Sequence, residues 1–471
     1  MIFTSFEFAL FFVAVLLIRG VFTTLQGEKL FLVFASYVFY MSWNVYYAGL
    51  IFSASCCDYI LGNRIAGANT TGERRAFLVA SLVMNLGILT YFKYSPFIIE
   101  TTASLLSLIG ISFAQHHWNV ILPVGISFFT FQSLSYTIDV YRRKITPCST
   151  LRDFLLFVAF FPQLVAGPIV RATEFLPQLV TRARANAREI ETGLALIALG
   201  VVKKSVISDQ VSSHVDVIFA NPQGFDAPTL LLGVLGYAVQ IYCDFSGYSD
   251  IAIGCARVMG YRFPENFQMP YSAVNITDFW RRWHISLSSW LRDYLYIPLG
   301  GNRHGVSRYY VSLMLTMLLG GLWHGASWNF VIWGGIHGVA LIAHKIWSGW
   351  RISRDLSSPS WWRLLASRGL TMGVVLIGWI FFRARTFSDA SELLLGLLRW
   401  ESGSAQLLSP QILASVAIVF VMHIAFLNNR NWADEIVDKT LSIRIATYTT
   451  LLTTIVSFGS TDASPFIYFQ F

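Results

Sequence analysis

Two histidines lie in apolar surroundings where an ionisable ring is costly. His324 falls in Leu318-Leu-Gly-Gly-Leu-Trp-His-Gly-Ala326, at the end of a stretch apolar enough to cross a bilayer. His284 falls in Trp280-Arg-Arg-Trp-His-Ile-Ser-Leu-Ser-Ser-Trp-Leu-Arg-Asp-Tyr294. Ionisable groups at membrane depth mostly face an internal cavity or pathway, so both rings are candidate functional residues. Since a neutral imidazole can accept a hydroxyl or thiol proton during acyl transfer, the sequence indicates proton chemistry inside a membrane.

The composition points to a membrane protein. Of the 471 residues, 55% are hydrophobic and only 13% are charged, whereas soluble proteins carry about a quarter charged residues. The net charge of +8 is explained by basic loops that face an anionic leaflet, so no nucleic-acid partner is expected. The five cysteines have no metal-ligand spacing, and His116-His117 lack ligand partners, so we expect no metal site.

Apolar runs predict an all-α polytopic protein with about ten to twelve membrane-spanning helices, together with re-entrant and interfacial pieces. We expect one membrane-embedded domain over residues 1–471, with its core motifs at about 121–346. Four of the predicted spans cover residues 30–51, 77–92, 97–113 and 154–170. The basic patches at 64–75 and 182–188 are expected to be cytoplasmic. Because the span count does not place every basic patch on one side, at least one candidate between residues 77 and 140 should be re-entrant or not a separate span.

The segment around His284 reads as one amphipathic helix. Asn275 or Thr277 can cap its N-terminus, an aromatic face follows at three- and four-residue steps, and Pro298-Leu-Gly-Gly301 ends it. On this helix His284 would share an inward stripe with Trp280 and Leu287. The next turn and apolar helix can bring His324 close to His284. The glycines beside Trp323-His324 would allow the close backbone approach that a ligand requires.

Other polar groups are expected to support rather than perform the chemistry. Asp244, Ser246, Tyr248 and Asp250 lie at the end of a predicted span, where they can satisfy loosened backbone and line a tunnel. His337 and His344 are seven residues apart on one apolar helix and so share a face, which indicates packing or tunnel lining.

Several motifs resemble the membrane-bound O-acyltransferase family, and in particular its bacterial alginate O-acetyltransferase branch. They are Trp280 through Arg303, Leu319-Gly-Gly-Leu-Trp-His-Gly325, Asp244-Phe-Ser-Gly-Tyr-Ser-Asp250 and Pro123-Val-Gly-Ile-Ser-Phe128, and the likeness continues to the ending Pro465-Phe-Ile-Tyr-Phe-Gln-Phe471. It covers nearly the whole chain.

The resemblance implies a ring of tilted helices around a central tunnel, with a cytoplasmic entrance for the acyl donor and a funnel on the other side. His324 matches the family's invariant histidine, and His284 matches the second active-site histidine of this branch. The residues that we assign to the tunnel lining are Trp323, Asp244, Ser246, Tyr248, Asp250, Asn302, Arg303 and His337. No bound cofactor is implied.

The implied reaction takes acetyl from a cytoplasmic donor, acetyl-CoA, and passes it across the bacterial inner membrane. There a separate periplasmic acyltransferase would esterify an exported polysaccharide, with alginate as the first choice of polymer. Cellulose or peptidoglycan acetylation and D-alanyl transfer to teichoic acid remain open. A different class of function, transport of an acyl carrier or polysaccharide, predicts inverted repeats and paired intramembrane charges, and the sequence presents neither.

Overall fold

The computed structural model describes residues 1–111, 121–165, 167–303, 305–353, 360–399, 406–425, 432–460 and 466–467. His116 and His117, for which the sequence predicts no metal site, lie outside these ranges. The regular elements of the described residues are helices. The chain divides into two compact units, one of Met1–Gly193 with Ala252–Pro264, and one of Leu194–Ile251 with Glu265–Phe471.

The first unit holds nine helices among its described residues, and begins a tenth. They are α1 (Phe6–Val21), α2 (Leu25–Met41), α3 (Val45–Gly67), α4 (Thr71–Leu89), α5 (Ser95–Leu108), α6 (Ile126–Tyr141), α7 (Leu151–Ala159), α8 (Phe161–Leu164), α9 (Ala172–Phe175) and α10 (Ala187–Val201). A buried polar cluster joins three of these helices. Asp58 of α3 accepts hydrogen bonds from Ser81 Oγ (2.7 Å) and Asn85 Nδ2 (2.8 Å) of α4, and Ser81 Oγ also donates to Thr137 Oγ1 of α6 (3.1 Å).

Helix α10 continues into the second unit, whereas α12 begins in the second unit and ends in the first. The remaining helices are α11 (Asp209–Ala220), α12 (Ala227–Val258), α13 (Ile276–Arg282), α14 (Ile285–Leu291), α15 (Val306–His324), α16 (Trp328–Ser353), α17 (Trp361–Arg383), α18 (Phe387–Arg399), α19 (Pro410–Ala425), α20 (Trp432–Val437) and α21 (Leu441–Phe458). A π-helical stretch, Val202–Ser208, joins α10 to α11.

Six helical segments of the described chain are long and apolar enough to cross a membrane. They are Val45–Gly67, Thr71–Leu108, Ala227–Val258, Trp328–Arg351, Trp361–Arg383 and Leu441–Phe458. The two predicted spans at residues 77–92 and 97–113 are wrong, because Thr71–Leu108 is one continuous segment. A π-helical turn at Thr90–Tyr94 directly precedes Pro96 at the start of α5. That turn accommodates the missing N–H of proline without ending the helix.

Two other predicted spans are also wrong. The run 30–51 divides into α2 and α3, because Asn44 Oδ1 accepts a hydrogen bond from Tyr46 N (2.9 Å) and starts a new helix. The run 154–170 forms only the nine-residue α7 and the four-residue α8, with Pro162 in the first turn of α8. Local capping and proline chemistry decide both boundaries, whereas hydropathy alone does not reveal them.

Helices α15 and α16 pack antiparallel at glycine contacts. A β-carbon added to Gly321 would collide with the backbone carbonyl of Phe330, and one added to Gly334 would collide with that of Met317. The sequence-based expectation that glycines near His324 make room for a ligand therefore needs correction at Gly321. There the missing side chain lets two helices touch, and this contact fixes the end of α15 that carries His324.

Candidate active site

His284 lies at a break between two short helices. The single amphipathic helix predicted for this segment is wrong: α13 ends at Arg282, α14 begins at Ile285, and His284 between them has a left-handed backbone with φ of 43°. The inward stripe shared with Trp280 and Leu287 is lost with that helix. The predicted N-cap is confirmed, since Asn275 Oδ1 accepts a hydrogen bond from Asp278 N at 2.8 Å.

Asn266 holds this break in place. Its side-chain oxygen accepts hydrogen bonds from His284 Nδ1 (3.1 Å), Ser286 N (3.2 Å) and Ser286 Oγ (2.8 Å), and its backbone carbonyl accepts one from Ile285 N (3.0 Å). Its amide nitrogen donates to Ser249 Oγ at 3.2 Å. Because the amide oxygen only accepts, the His284 proton is assigned to Nδ1, and Nε2 keeps its lone pair. A residue other than glycine keeps a left-handed backbone only where the surrounding structure holds it in place. The hydrogen bonds of Asn266 hold His284 in this way.

Sequence reasoning misses Asn266 altogether. The residue lies in Pro264-Glu-Asn-Phe267, in an irregular stretch with neither helical periodicity nor a recognisable motif. It is 1% exposed, and a buried asparagine is a sign of a hydrogen-bonded network, but burial there cannot be read from an irregular segment. Its importance appears only when the fold places it beside His284.

His324 is the last residue of α15, and its ring lies among aromatic rings. The ring centroids of Trp323, Trp333 and Phe382 lie 4.9, 5.0 and 5.3 Å from that of His324. The carboxyl end of a helix carries partial negative charge, so this position stabilises an imidazolium that forms when the ring accepts a proton. The backbone N–H of Ser327 donates a hydrogen bond to the carbonyl oxygen of Gly325 (3.0 Å), which closes the turn between His324 and α16.

The fold brings the two histidines together. Their ring centroids are 6.5 Å apart, and the Trp323 ring lies 6.1 Å from that of His284. Both side chains are buried, His284 completely and His324 with 3% exposure. The Phe245 ring meets His284 edge-on at 4.6 Å. Two imidazoles at this spacing can contact one small reacting group from two sides.

The environment keeps His284 uncharged. Burial lowers the pKa of His284 to about 3, because an apolar surrounding disfavours the charged ring. The ring is therefore neutral at physiological pH, and its unprotonated nitrogen can accept a hydrogen bond. Together with the Nδ1–H held by Asn266, this leaves Nε2 as the basic atom.

His337 and His344 have different surroundings. His337 is fully buried, and its ring packs against those of Trp333 (4.8 Å), Trp280 (5.2 Å) and Phe279 (6.0 Å). The Trp333 ring packs against both His337 and His324. His344 is half-buried on the same helix, where Nδ1 lies 2.9 Å from Thr277 Oγ1 and Nε2 lies 3.2 Å from Ser348 Oγ. Both sets of contacts fit packing between helices.

The acidic residues of α12 are paired with lysines. Lys204 Nζ lies 2.6 Å from Asp244 Oδ1 and 2.7 Å from Asp209 Oδ1, and Lys203 Nζ lies 2.6 Å from Asp250 Oδ2. Asp244 also accepts a hydrogen bond from the backbone of Ile467 (2.8 Å). The expectation that the chain has no paired charges within its apolar helices is therefore wrong, because Asp244 and Asp250 lie in the candidate span Ala227–Val258. Sequence reasoning misses the two lysines because they end an apolar run that resembles a span. These ion pairs indicate that Asp244 and Asp250 stabilise the fold. Their tunnel-lining role stays a prediction.

The other predicted tunnel residues divide into buried and exposed groups. Ser246 and Tyr248 are buried, and the Tyr248 ring lies 4.7 Å from that of Phe466 near the chain's end. Asn302 and Arg303 lie exposed on the turn before α15. Within the part of the chain that the structure describes, no cluster of three His, Cys, Asp or Glu side chains could hold a metal ion.

Comparison with known proteins identifies the family of this chain. The family model described as MBOAT, the membrane-bound O-acyltransferase family, matches residues 97–384, which include both histidines. The chain therefore belongs to the membrane-bound O-acyltransferase family. It is an O-acyltransferase and a multi-pass integral membrane protein, so the alternative of a transporter is not supported.

Three relatives represent the range of similarity. The chain is 43% identical over 398 residues to the probable alginate O-acetylase AlgI of Pseudomonas aeruginosa, covering 83% of this chain and 73% of that protein. It is 38% identical to the peptidoglycan O-acetyltransferase of Helicobacter pylori, covering 79% and 73%. It is 29% identical to the teichoic acid D-alanyltransferase of Bacillus subtilis, covering 58% and 72%.

Proposed function

We propose that this protein takes acetyl from acetyl-CoA on the cytoplasmic side and passes it across the bacterial inner membrane for O-acetylation of an exported polysaccharide, with alginate as the first candidate. The observation that carries the proposal is the buried pair of His284 and His324, with ring centroids 6.5 Å apart, in a chain of an O-acyltransferase family. Alginate comes first because relatives with that printed name reach 43% identity and cover 83% to 100% of this chain, whereas the peptidoglycan enzyme is 38% identical over 79% of it.

The pair suits general base catalysis on a thioester. An acceptor hydroxyl that lies between the rings loses its proton to a neutral imidazole as its oxygen attacks the acetyl carbonyl. The C–O ester bond forms, the C–S bond breaks, and the departing thiolate takes the proton from the imidazolium. His284 Nε2 can accept a hydrogen bond from that hydroxyl because Asn266 holds Nδ1–H. His324 is assigned the role of general base, because the carboxyl end of α15 stabilises the positive charge that its ring gains.

We assign the final ester to a separate periplasmic acyltransferase that receives acetyl at the outer side. Six helical segments of the described residues suit a membrane, and the elements that carry the candidate site are helices of this kind or short helices beside them. A polysaccharide needs an extended polar groove, and such a surface belongs more naturally to a partner. The partner's accepting group would be a nucleophilic side chain that later passes acetyl to the polymer.

The test is acetyl transfer by purified protein in liposomes with radiolabelled acetyl-CoA inside and polymer outside, with and without periplasmic extract. His324→Ala should lower the rate by about 10²–10⁴-fold, as removal of a general base does, and His284→Ala should be severely impaired. His344→Ala is the matched control, a histidine on the neighbouring helix whose bonds to Thr277 and Ser348 lie outside the pair. It should keep most activity.

The outcomes separate the parts of the proposal. Near-normal acetylation by correctly inserted His324→Ala would remove the assignment of the site. Equal rates of polymer acetylation with and without periplasmic extract would contradict the partner, but they would not affect the assignment of the site. Offering alginate, cellulose, peptidoglycan and teichoic acid in parallel identifies the acceptor, and activity only with a D-alanyl donor would replace acetyl with alanyl transfer.

A further inference from the structure

An apolar cavity lies in the same unit as the histidine pair, and neither histidine of the pair lines it. It has a volume of about 340 Å³ and is lined almost entirely by apolar atoms. Its walls come from α10 and the π-helical stretch after it, from α12, α19, α20 and α21, and from the segment before α13. Representative lining residues are Leu199, Tyr242, Met269, Ile418, Met422 and Leu451.

The size and lining of the cavity indicate an apolar occupant. Water needs two to four polar partners to fill a cavity, and an engineered apolar cavity of about 150 Å³ stays dry and binds benzene. The present cavity is roughly twice that size, so it can hold a chain of about a dozen carbons. An empty apolar cavity is destabilising in proportion to its volume. Because α21 is a candidate span and α19 a shorter apolar helix, the surrounding membrane can supply such a chain.

One polar atom in the lining is set up to accept a hydrogen bond. His423 is 1% exposed, and its Nδ1 lies 2.8 Å from the carbonyl oxygen of Val419, so Nδ1 carries the proton. The other ring nitrogen, Nε2, is buried with no hydrogen-bond partner among the described residues. A buried acceptor of this kind is costly unless a ligand supplies a donor.

The charge in the cavity wall is already neutralised. Lys203 lines the cavity, but its ammonium lies 2.6 Å from an Asp250 oxygen and 5.7 Å from the centre of the Tyr242 ring. An anionic headgroup would compete with that carboxylate. The wall therefore favours a neutral ligand, with a long apolar chain and one hydroxyl donor.

We propose that this cavity is a binding site for a neutral long-chain lipid, with its hydroxyl donating to His423 Nε2 and its chain of about a dozen carbons between α19, α21 and α12. The site is independent of the acetyl-transfer proposal, because it rests on the cavity and His423 alone. A path of rings runs from it toward the active site: Tyr242 lies 6.1 Å from Phe267, and Phe267 lies 6.5 Å from His284.

The test uses the purified full chain and dodecanol carrying a diazirine on its chain and a terminal alkyne. Irradiation should label peptides of α19 and α21, and unlabelled dodecanol should compete. Met422→Trp fills the cavity and should reduce labelling at least tenfold. Val421→Trp is the matched control, since Val421 adjoins Met422 on α19 but is 62% exposed and outside the lining. It should label like the wild type.

His423→Phe tests the acceptor without emptying the cavity. It should reduce labelling by the alcohol probe roughly tenfold while an otherwise identical alkane probe is unaffected, since one hydrogen bond of this kind is lost. Should Met422→Trp fail to fold, the wild type gives a second measurement, because dodecanol should raise its unfolding temperature more than dodecane does. Equal labelling of Met422→Trp and the wild type, or equal effects of dodecanol and dodecane, would overturn the proposal.

Discussion

Replacing Asn266 should disable His284 without touching the ring itself. In Asn266→Leu, the His284 Nδ1–H and both the backbone N–H and the hydroxyl of Ser286 lose their shared acceptor, while side-chain volume is roughly kept. Each buried donor left without an acceptor costs about 1–3 kcal/mol, so the loss of all three favours relaxation of the left-handed backbone at His284. The ring then loses both its position and its preferred tautomer. Misplacing a catalytic group by about 1 Å costs up to about 10²-fold in rate.

We therefore expect Asn266→Leu to lower kcat about 10²-fold with little change in KM for acetyl-CoA. The assay is the initial rate of acetyl transfer in liposomes, normalised to correctly folded protein by size-exclusion chromatography. Ser249→Ala is the control, because it removes the bond from the Asn266 amide nitrogen but leaves the acceptor side intact. One such bond is worth about 1 kcal/mol, so its rate should fall no more than about fivefold.

Asn266→Asp distinguishes positioning from mere stability. The carboxylate keeps the acceptor for Nδ1–H but adds a negative charge beside the ring, which favours the imidazolium and raises the pKa of His284. In the wild type burial lowers that pKa to about 3, so protonation of His284 should not reduce the rate between pH 5 and 8. In Asn266→Asp, His284 is protonated at higher pH and can no longer accept a hydrogen bond from the hydroxyl, so the acid limb of the pH–rate profile should move to higher pH. Full activity of Asn266→Leu, or an unmoved acid limb in Asn266→Asp, would refute the reasoning.

Three further predictions concern the surroundings of the site. Gly321→Val should destabilise the protein by about 1–3 kcal/mol in thermal unfolding because the new side chain meets the α16 backbone, whereas Gly349→Ala, with open space around it, should be neutral. Lys204→Met should lower the free energy of unfolding by about 3–5 kcal/mol, because two buried carboxylates lose their cation. Adding Asp244→Asn should restore part of the folded yield, and no recovery would contradict the ion-pair account. His337→Phe should keep acetyl transfer within about threefold, since the ring fills an aromatic cage, and a hundredfold loss would give His337 a chemical role.

The sequence predicts the long apolar helices and the cap at Asn275 because these features depend on neighbouring residues. Composition and spacing decide both, and the structure agrees at α12 and α16. The break at His284 is different, because its cause is Asn266, which lies in an irregular segment. Hydrogen bonds between distant segments leave no periodic trace in a sequence.

Several predicted membrane spans are wrong for a related reason. Hydropathy averages over a window and is blind to whether a turn is π-helical or capped, so it divides the continuous segment Thr71–Leu108 and joins α2 to α3. It also hides Lys203 and Lys204 at the end of an apolar run. Each lysine is tolerated there only because carboxylates of distant helices meet it, and that pairing is a property of the fold.

The arrangement of charge explains how a neutral imidazole can work in this buried site. In a medium of low polarity, an unbalanced charge near the pair would bias the protonation of both rings over several ångströms. In the second unit, Lys203 pairs with Asp250 and Lys204 pairs with Asp209 and Asp244, while aromatic rings pack around the two histidines. The positive charge that appears on a histidine during transfer is then met by the carboxyl end of α15 and by ring faces, which act without a fixed counter-ion. A fixed carboxylate there would hold the proton, whereas these weaker contacts let it leave with the thiolate.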